Sequence, residues 1–116
     1  MGNILRSTHQ EQPLENEIIS VTSYSDPINI GDFEGGFASQ ITWINGSSVN
    51  MKLSLEVSLD KQNWVQLPNS EIVINAITDT HIYDVTDTCV EFLRVKIEVI
   101  SGIATFTIKM NGKARV

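Results

Sequence analysis

Hydrophobic residues occupy every second position in two stretches of the chain. Met51, Leu53, Leu55, Val57 and Leu59 alternate with Lys52, Ser54, Glu56 and Ser58; Leu93, Val95, Ile97 and Val99 alternate with Arg94, Lys96 and Glu98. Successive strand side chains point to opposite faces, so each stretch reads as a strand with one dry and one wet face. Shorter runs share this β character. Glu17 to Tyr24 is rich in β-branched residues, Pro27 to Ile30 reads as a short edge strand, and Phe37 to Asn45 carries Phe37, Ile41 and Trp43 on one face, with Ser39 interrupting it. Trp64 to Leu67, Glu71 to Ile77, His81 to Val85 and Ile103 to Met110 complete the set, the last with Ala104, Phe106, Ile108 and Met110 on one side.

Turn chemistry punctuates these runs. Asn45-Gly46-Ser47-Ser48 predicts a turn, because Asn and Gly adopt positive φ at little cost. Asp60 to Asn63, Pro68 to Ser70 and Thr86 to Thr88 are polar breaks, and Ser101-Gly102 predicts a compact hairpin. No helical period competes. The expected fold is all-β: a single antiparallel β-sandwich or jelly roll of about eight strands over residues 17–110, with an extended N-terminal arm at 1–16 and a polar tail at 111–116. Its expected core is Trp43, Leu53, Leu55, Val57, Trp64, Leu93, Val95, Ile97 and Phe106. The arm is polar, contains Pro13 and shows no period. It is expected either to stay disordered or to order against a neighbouring subunit through Ile4, Leu5 and Leu14.

Composition narrows the function classes. Fourteen acids against eight bases give a formal charge of −6, which argues against nucleic acid as a direct partner. Arg94 with Lys96, and Lys109 with Lys113 and Arg115, form small basic groups suited to an acidic neighbour or to guarding a sheet edge. No run reaches the roughly 18–20 apolar residues of a membrane span, so no membrane partner is expected. The N-terminus lacks the apolar stretch of a secretory signal, so no secretion address is expected.

Candidate chemistry is sparse. His9 and His81 lie far apart and Cys89 is the single cysteine, so no zinc spacing and no internal disulfide exists. Asp79, Asp84 and Asp87 cluster in TDTHIYDVTDT, where turn roles are favoured over calcium. His81 has no nucleophile elbow to serve, and Cys89 reads as a small hydrophobe. No catalytic residue, metal ligand or cofactor is expected.

The pattern Leu55-x-Val57-Ser58-x-Asp60-x-x-x-Trp64, followed by Phe92-Leu93-Arg94-Val95-Lys96 and by Ser101 to Phe106, resembles a signature of small β-sandwich modules. One group that shares it is the discoidin-like carbohydrate- or lipid-binding sandwiches. The other is a set of small virion proteins of tailed bacteriophages. Discoidin-type domains are longer and carry bracketing cysteines, and Lys61 stands where they often have Gly. The resemblance to virion proteins implies a non-enzymatic component of a phage particle (capsid decoration, neck or tail), homo-oligomeric and in contact with other virion proteins and with copies of itself. The alternative is a carbohydrate-binding module that uses exposed aromatics such as Tyr24, Phe33 or Tyr83.

Overall fold

A computed structural model describes the backbone at residues 6–30, 33–85 and 90–115, and side chains at 12–30, 36–85 and 90–112. Among the described residues eight antiparallel strands follow one another: β1 (Arg6–Ile19), β2 (Ser23–Tyr24), β3 (Ile28–Asn29), β4 (Phe33–Ser58), β5 (Val65–Gln66), β6 (Ile72–Ile74), β7 (Asp79–Val85) and β8 (Phe92–Arg115). No helix of the described chain is long and apolar enough to cross a membrane.

The frame is the pairing of β4 with β8 from Phe33↔Ala114 to Ser58↔Phe92. A straight strand of 24 residues would run about 79 Å. The longest dimension of the molecule is 54 Å, so this ribbon is folded over. The bend lies between Ile44↔Thr105 and Met51↔Val99, where the register shifts three times and β4 spends one residue more than β8. Asn45 (φ 55°), Ser48 (φ 52°) and Gly102 (φ 93°) supply the left-handed backbone of the bulges. A Cβ on Gly102 would lie 2.3 Å from the Ser48 carbonyl oxygen, so the two strands touch backbone to backbone there.

The bend makes two leaves from one sheet. In the first, β1, the C-terminal half of β8, the N-terminal half of β4 and β7 lie in that order. In the second, β2 and β3 flank the other half of β8, while β5 and β6 flank the other half of β4. Both leaves contribute to one buried cluster, which makes the molecule a β-sandwich. Phe37, Ile41, Trp43, Phe106 and Ile108 come from the first leaf; Met51, Leu53, Leu55, Leu93, Val95 and Ile97 come from the second. Polar ties cross between them. Tyr83 Oη donates to the Ser70 carbonyl at 2.7 Å, and Ser70 Oγ accepts from Leu55 N at 3.1 Å. Trp43 Nε1 donates to the Ala76 carbonyl at 2.9 Å, and its ring lies 5.9 Å from that of Phe106.

Three expectations are corrected. Asn45-Gly46 and Ser101-Gly102 do not close hairpins; both lie inside the continuous β4–β8 ribbon, with Ser101 opposite Asn50 and Gly102 against the backbone of Ser47 and Ser48. The expected boundary between arm and sandwich at residue 17 falls inside β1, whose described part pairs with β8 from Arg6 onward. Residues 111–115 are the end of β8, paired with both β1 and β4, and not a separate tail. The physical reason is common to the last two. β1 is an outer strand that gains its hydrogen bonds from β8, and the end of β8 gains its own from β1 and β4, so neither needs a strong apolar pattern of its own.

Candidate functional site

The second leaf presents an ordered polar and aromatic patch on its outer face. Register places Glu56 opposite Arg94. Arg94 donates from Nε at 2.8 Å and pairs through Nη2 at 2.7 Å, both to Glu56 Oε1, with the two side chains only 22% and 14% exposed. The guanidinium lies 4.1 Å from the Tyr24 ring centre and 4.3 Å from that of Trp64, so cation–π attraction adds to the ion pair.

The loop from Ser58 to Trp64 sets the Trp64 ring. Asp60 Oδ1 accepts from Gln62 N, Asn63 N and Ser58 Oγ, and Oδ2 accepts from Asn63 Nδ2. The Asn63 and Gln62 amides, then the Asn63 side chain and Ser58, hold the Asp60 carboxyl well below the usual carboxylate range. Ser58 Oγ in turn accepts from Asp60 N and Lys61 N, and Trp64 Nε1 donates to the Lys61 carbonyl at 3.2 Å. Lys61 Nζ sits 4.8 Å from the Phe92 ring centre. Tyr, Trp and Arg are the residue types enriched where protein contacts carry most of their binding energy.

The first leaf presents a different outer face. Its rows run Ile18–Thr105–Ile44, then Thr107–Thr42–Thr80, then Lys109–Gln40–Ile82. Asn16 joins the second row: its N donates to Thr107 Oγ1 at 3.1 Å, and Thr42 and Thr80 share a hydroxyl contact at 3.3 Å. Gln12, Gln40, Lys109 and Asn111 border an open groove of about 510 Å³, and Asn111 Oδ1 is buried there without a partner among the described residues.

Around the bend, aliphatic side chains stand in solvent. Ile18 (68% exposed), Val21 (69%) and Ile100 (54%) accompany Ile44 and Ile103. Ile100 and Ile103 bracket Gly102, and Ile18 and Ile44 flank Thr105.

Of the expected core, Trp43, Leu53, Leu55, Leu93, Val95, Ile97 and Phe106 are buried, and Val57 is half-buried against the cluster. Trp64 is not core. It is half-exposed on the outer face, because the Asp60 loop turns its ring onto Arg94. Leu59, continuing the dry face by alternation, is exposed because β4 ends at Ser58. Leu14 packs against the chain's own core, opposite Ile108, while Ile4 and Leu5 lie outside the described residues.

Among the aromatics proposed for sugar contact, Tyr83 is buried with its hydroxyl engaged, and burial, then the Glu71 charge, pushes its phenol above the ordinary value. Tyr24 is exposed, though Arg94 covers one ring face; the Phe33 side chain is outside the described residues. Asp79 Oδ1 caps Thr80 N at 2.8 Å in a turn role, and His81 meets Tyr83 edge-on at 4.5 Å. No group of three potential metal ligands exists among the described residues, and Asp87 and Cys89 lie outside them. Arg94 and Lys96 do not form a basic patch, since Glu56 and Glu98 accompany them. The Arg94 stack is not legible in the sequence alone. Its signal was that Glu56 and Arg94 lie on the wet faces of the two clearest strands, which becomes informative only once their register is known.

No family model matches the chain, and no curated protein matches it. Solved structures do. YomS, derived from the SPBc2 prophage, superimposes with a TM-score of 0.58 at 9% identity, over 97% of this chain and 99% of its own. PirA gives 0.54 at 11% identity, over 100% and 99%. A carbohydrate-binding module of Cellvibrio mixtus lichenase 5A, solved with cellotriose, gives 0.47 at 16% identity, over 92% and 88%. At these identities the likeness to YomS and PirA is one of fold.

Proposed function

We propose that this chain is a non-enzymatic structural component of a phage particle, made in the host cytoplasm and acting in the virion through contacts with other virion proteins and with copies of itself. The observation that carries the proposal is the ridge of exposed aliphatic side chains at the bend, Ile18, Val21, Ile44, Ile100 and Ile103. Large aliphatic side chains left in solvent around one bend suit a place where another molecule belongs. The Tyr24–Arg94–Trp64 stack adds contact-type residues on a second surface. Sharing a fold across its whole length with a prophage-derived protein fits this reading. Neither nucleic acid nor membrane is proposed as a direct partner, given the chain's formal charge of −6 and the ion-paired state of Arg94.

The test is incorporation. Mass spectrometry of purified particles should detect the chain, and Val21→Asp with Ile100→Asp should reduce its copy number while leaving the far-UV circular dichroism unchanged. Particles that carry the double variant at the wild-type level would remove the ridge as the contact.

A carbohydrate-binding role is the second reading, and one observation favours it. The groove on the first leaf is bordered by Gln12, Gln40, Lys109 and Asn111, donors and acceptors suited to sugar hydroxyls. A glycan array blank across broad sugar classes would leave this reading without support.

A further inference from the structure

We propose that two copies of this chain join through the free edge of β7, extending the first leaf into a sheet that is continuous across a two-fold axis. The inference deepens the assembly reading above and rests on it. Edge strands offer unpaired amides and carbonyls to any strand that can reach them, and proteins usually blunt such edges.

The edges of this molecule are not equivalent. β1 carries Pro13, which has no amide hydrogen, and two register shifts. β2, β3, β5 and β6 are two or three residues long. β7 runs seven residues, Asp79 to Val85, against β4 without a shift and without proline, and among the described residues it pairs with β4 alone.

One hydrogen bond shows which way its amides point. Thr80 N meets Asp79 Oδ1 at 2.8 Å, a side-chain acceptor from its own strand in place of a β4 carbonyl. The close Thr42–Thr80 hydroxyl contact of 3.3 Å fits a pair that is not bonded through its backbones. By strand alternation, Thr80, Ile82 and Asp84 then turn their backbone groups outward.

An antiparallel two-fold pairing centred on Ile82 places Ile82 opposite Ile82 of the second copy, Thr80 opposite Asp84, His81 opposite Tyr83 and Asp79 opposite Val85. This register uses the whole strand. It sets the 57% exposed Ile82 against another aliphatic, gives the Asp84 carboxylate a hydroxyl donor, and puts no two like charges directly opposite. Thr80 N would exchange the Asp79 carboxylate for the Asp84 carbonyl of the second copy. On the outer surface the row Lys109–Gln40–Ile82 would continue into its own mirror order. Isologous contacts of this kind close on themselves and do not polymerise.

Sedimentation across a concentration series and cysteine cross-linking test the edge. In a Cys89→Ser background, Ile82→Cys should oxidise to a covalent dimer, since Cα atoms directly opposite in a bonded pair lie about 5.5 Å apart, within disulfide reach. Val73→Cys, at a position on β6 at least as exposed, should not. Ile82→Lys sets two ammonium groups opposite each other and should raise the dimer dissociation constant at least about tenfold, with unchanged circular dichroism. Equal cross-linking of both cysteine variants, no cross-linking of Ile82→Cys, or self-association unaffected by Ile82→Lys would each overturn the edge proposal. Failure of the virion reading is a separate result, the absence of the wild-type chain from purified particles.

Discussion

Two tryptophans show how a residue's role follows from what surrounds it. Trp43 is 2% exposed, sets its ring against Phe106 and ties its indole to the Ala76 carbonyl. Trp64 lies outside, against Arg94. Trp43→Ala should therefore cost about 3–5 kcal/mol in urea denaturation, and Trp64→Ala about 1 kcal/mol. Ser39 is the opposite case: fully buried on the face of Phe37, Ile41 and Trp43, with a hydroxyl that has no partner among the described residues. Ser39→Ala removes that desolvated group and should leave stability equal or raise it by about 1 kcal/mol, read in the same denaturation series.

Asp60 supplies a pH prediction with a definite sign. Its carboxyl is depressed in the folded state relative to 3.8 when unfolded, so its contribution is fully present above that value and fades as pH falls toward the folded one. The stability difference between wild type and Asp60→Asn should be constant at neutral pH and shrink on acidification below pH 3.8. A gap that persists unchanged to pH 2 would contradict the assigned hydrogen bonds.

At the scale of elements, the decisive feature is the bend of the β4–β8 ribbon. In β4 the buried positions stay in phase from Phe37 to Leu55, whereas in β8 they slip by one between Ile97 and Ala104. A hairpin turn and a bulge within a continuous strand both produce such a slip, so Ser101-Gly102 read as a turn. Only the pairing partner distinguishes them. Gly102 combines φ 93° with a carbonyl oxygen 2.3 Å from where a Cβ would stand, so Gly102→Ala should cost at least about 2 kcal/mol and lower the thermal midpoint measurably in calorimetry. The polar ends were illegible for a related reason. β1 and the last residues of β8 hold each other through backbone bonds, and such bonds leave little trace in side-chain pattern.

For the whole molecule, the consequence is that distant parts of the chain depend on one another. Phe33 pairs with Ala114 and Arg6 with Arg115, so loops of most of the chain must close before the first leaf exists. Folding should be slow for the size, on the order of milliseconds to seconds in stopped-flow refolding. Deleting residues 1–16 uncovers the β8 edge and removes Leu14 from the core, so the truncated chain should lose at least about 5 °C in thermal midpoint. A truncation of unchanged stability would restore the view of this segment as an independent arm.

What the sequence by itself determined is the all-β class, two clean strands and most of the core, because strand alternation is a local property written in consecutive side chains. Phe106, Leu53, Leu93 and Ile97 are buried because their neighbours at every second position are apolar too. What only the tertiary structure decided is which strand lies beside which. That choice made one bent ribbon of β4 and β8, drew β1 into the sheet, moved Trp64 outward onto Arg94 and, among the described residues, left β7 paired with β4 alone. Backbone hydrogen bonds are chemically the same at every residue, so register and partner are settled only when the whole chain closes its core.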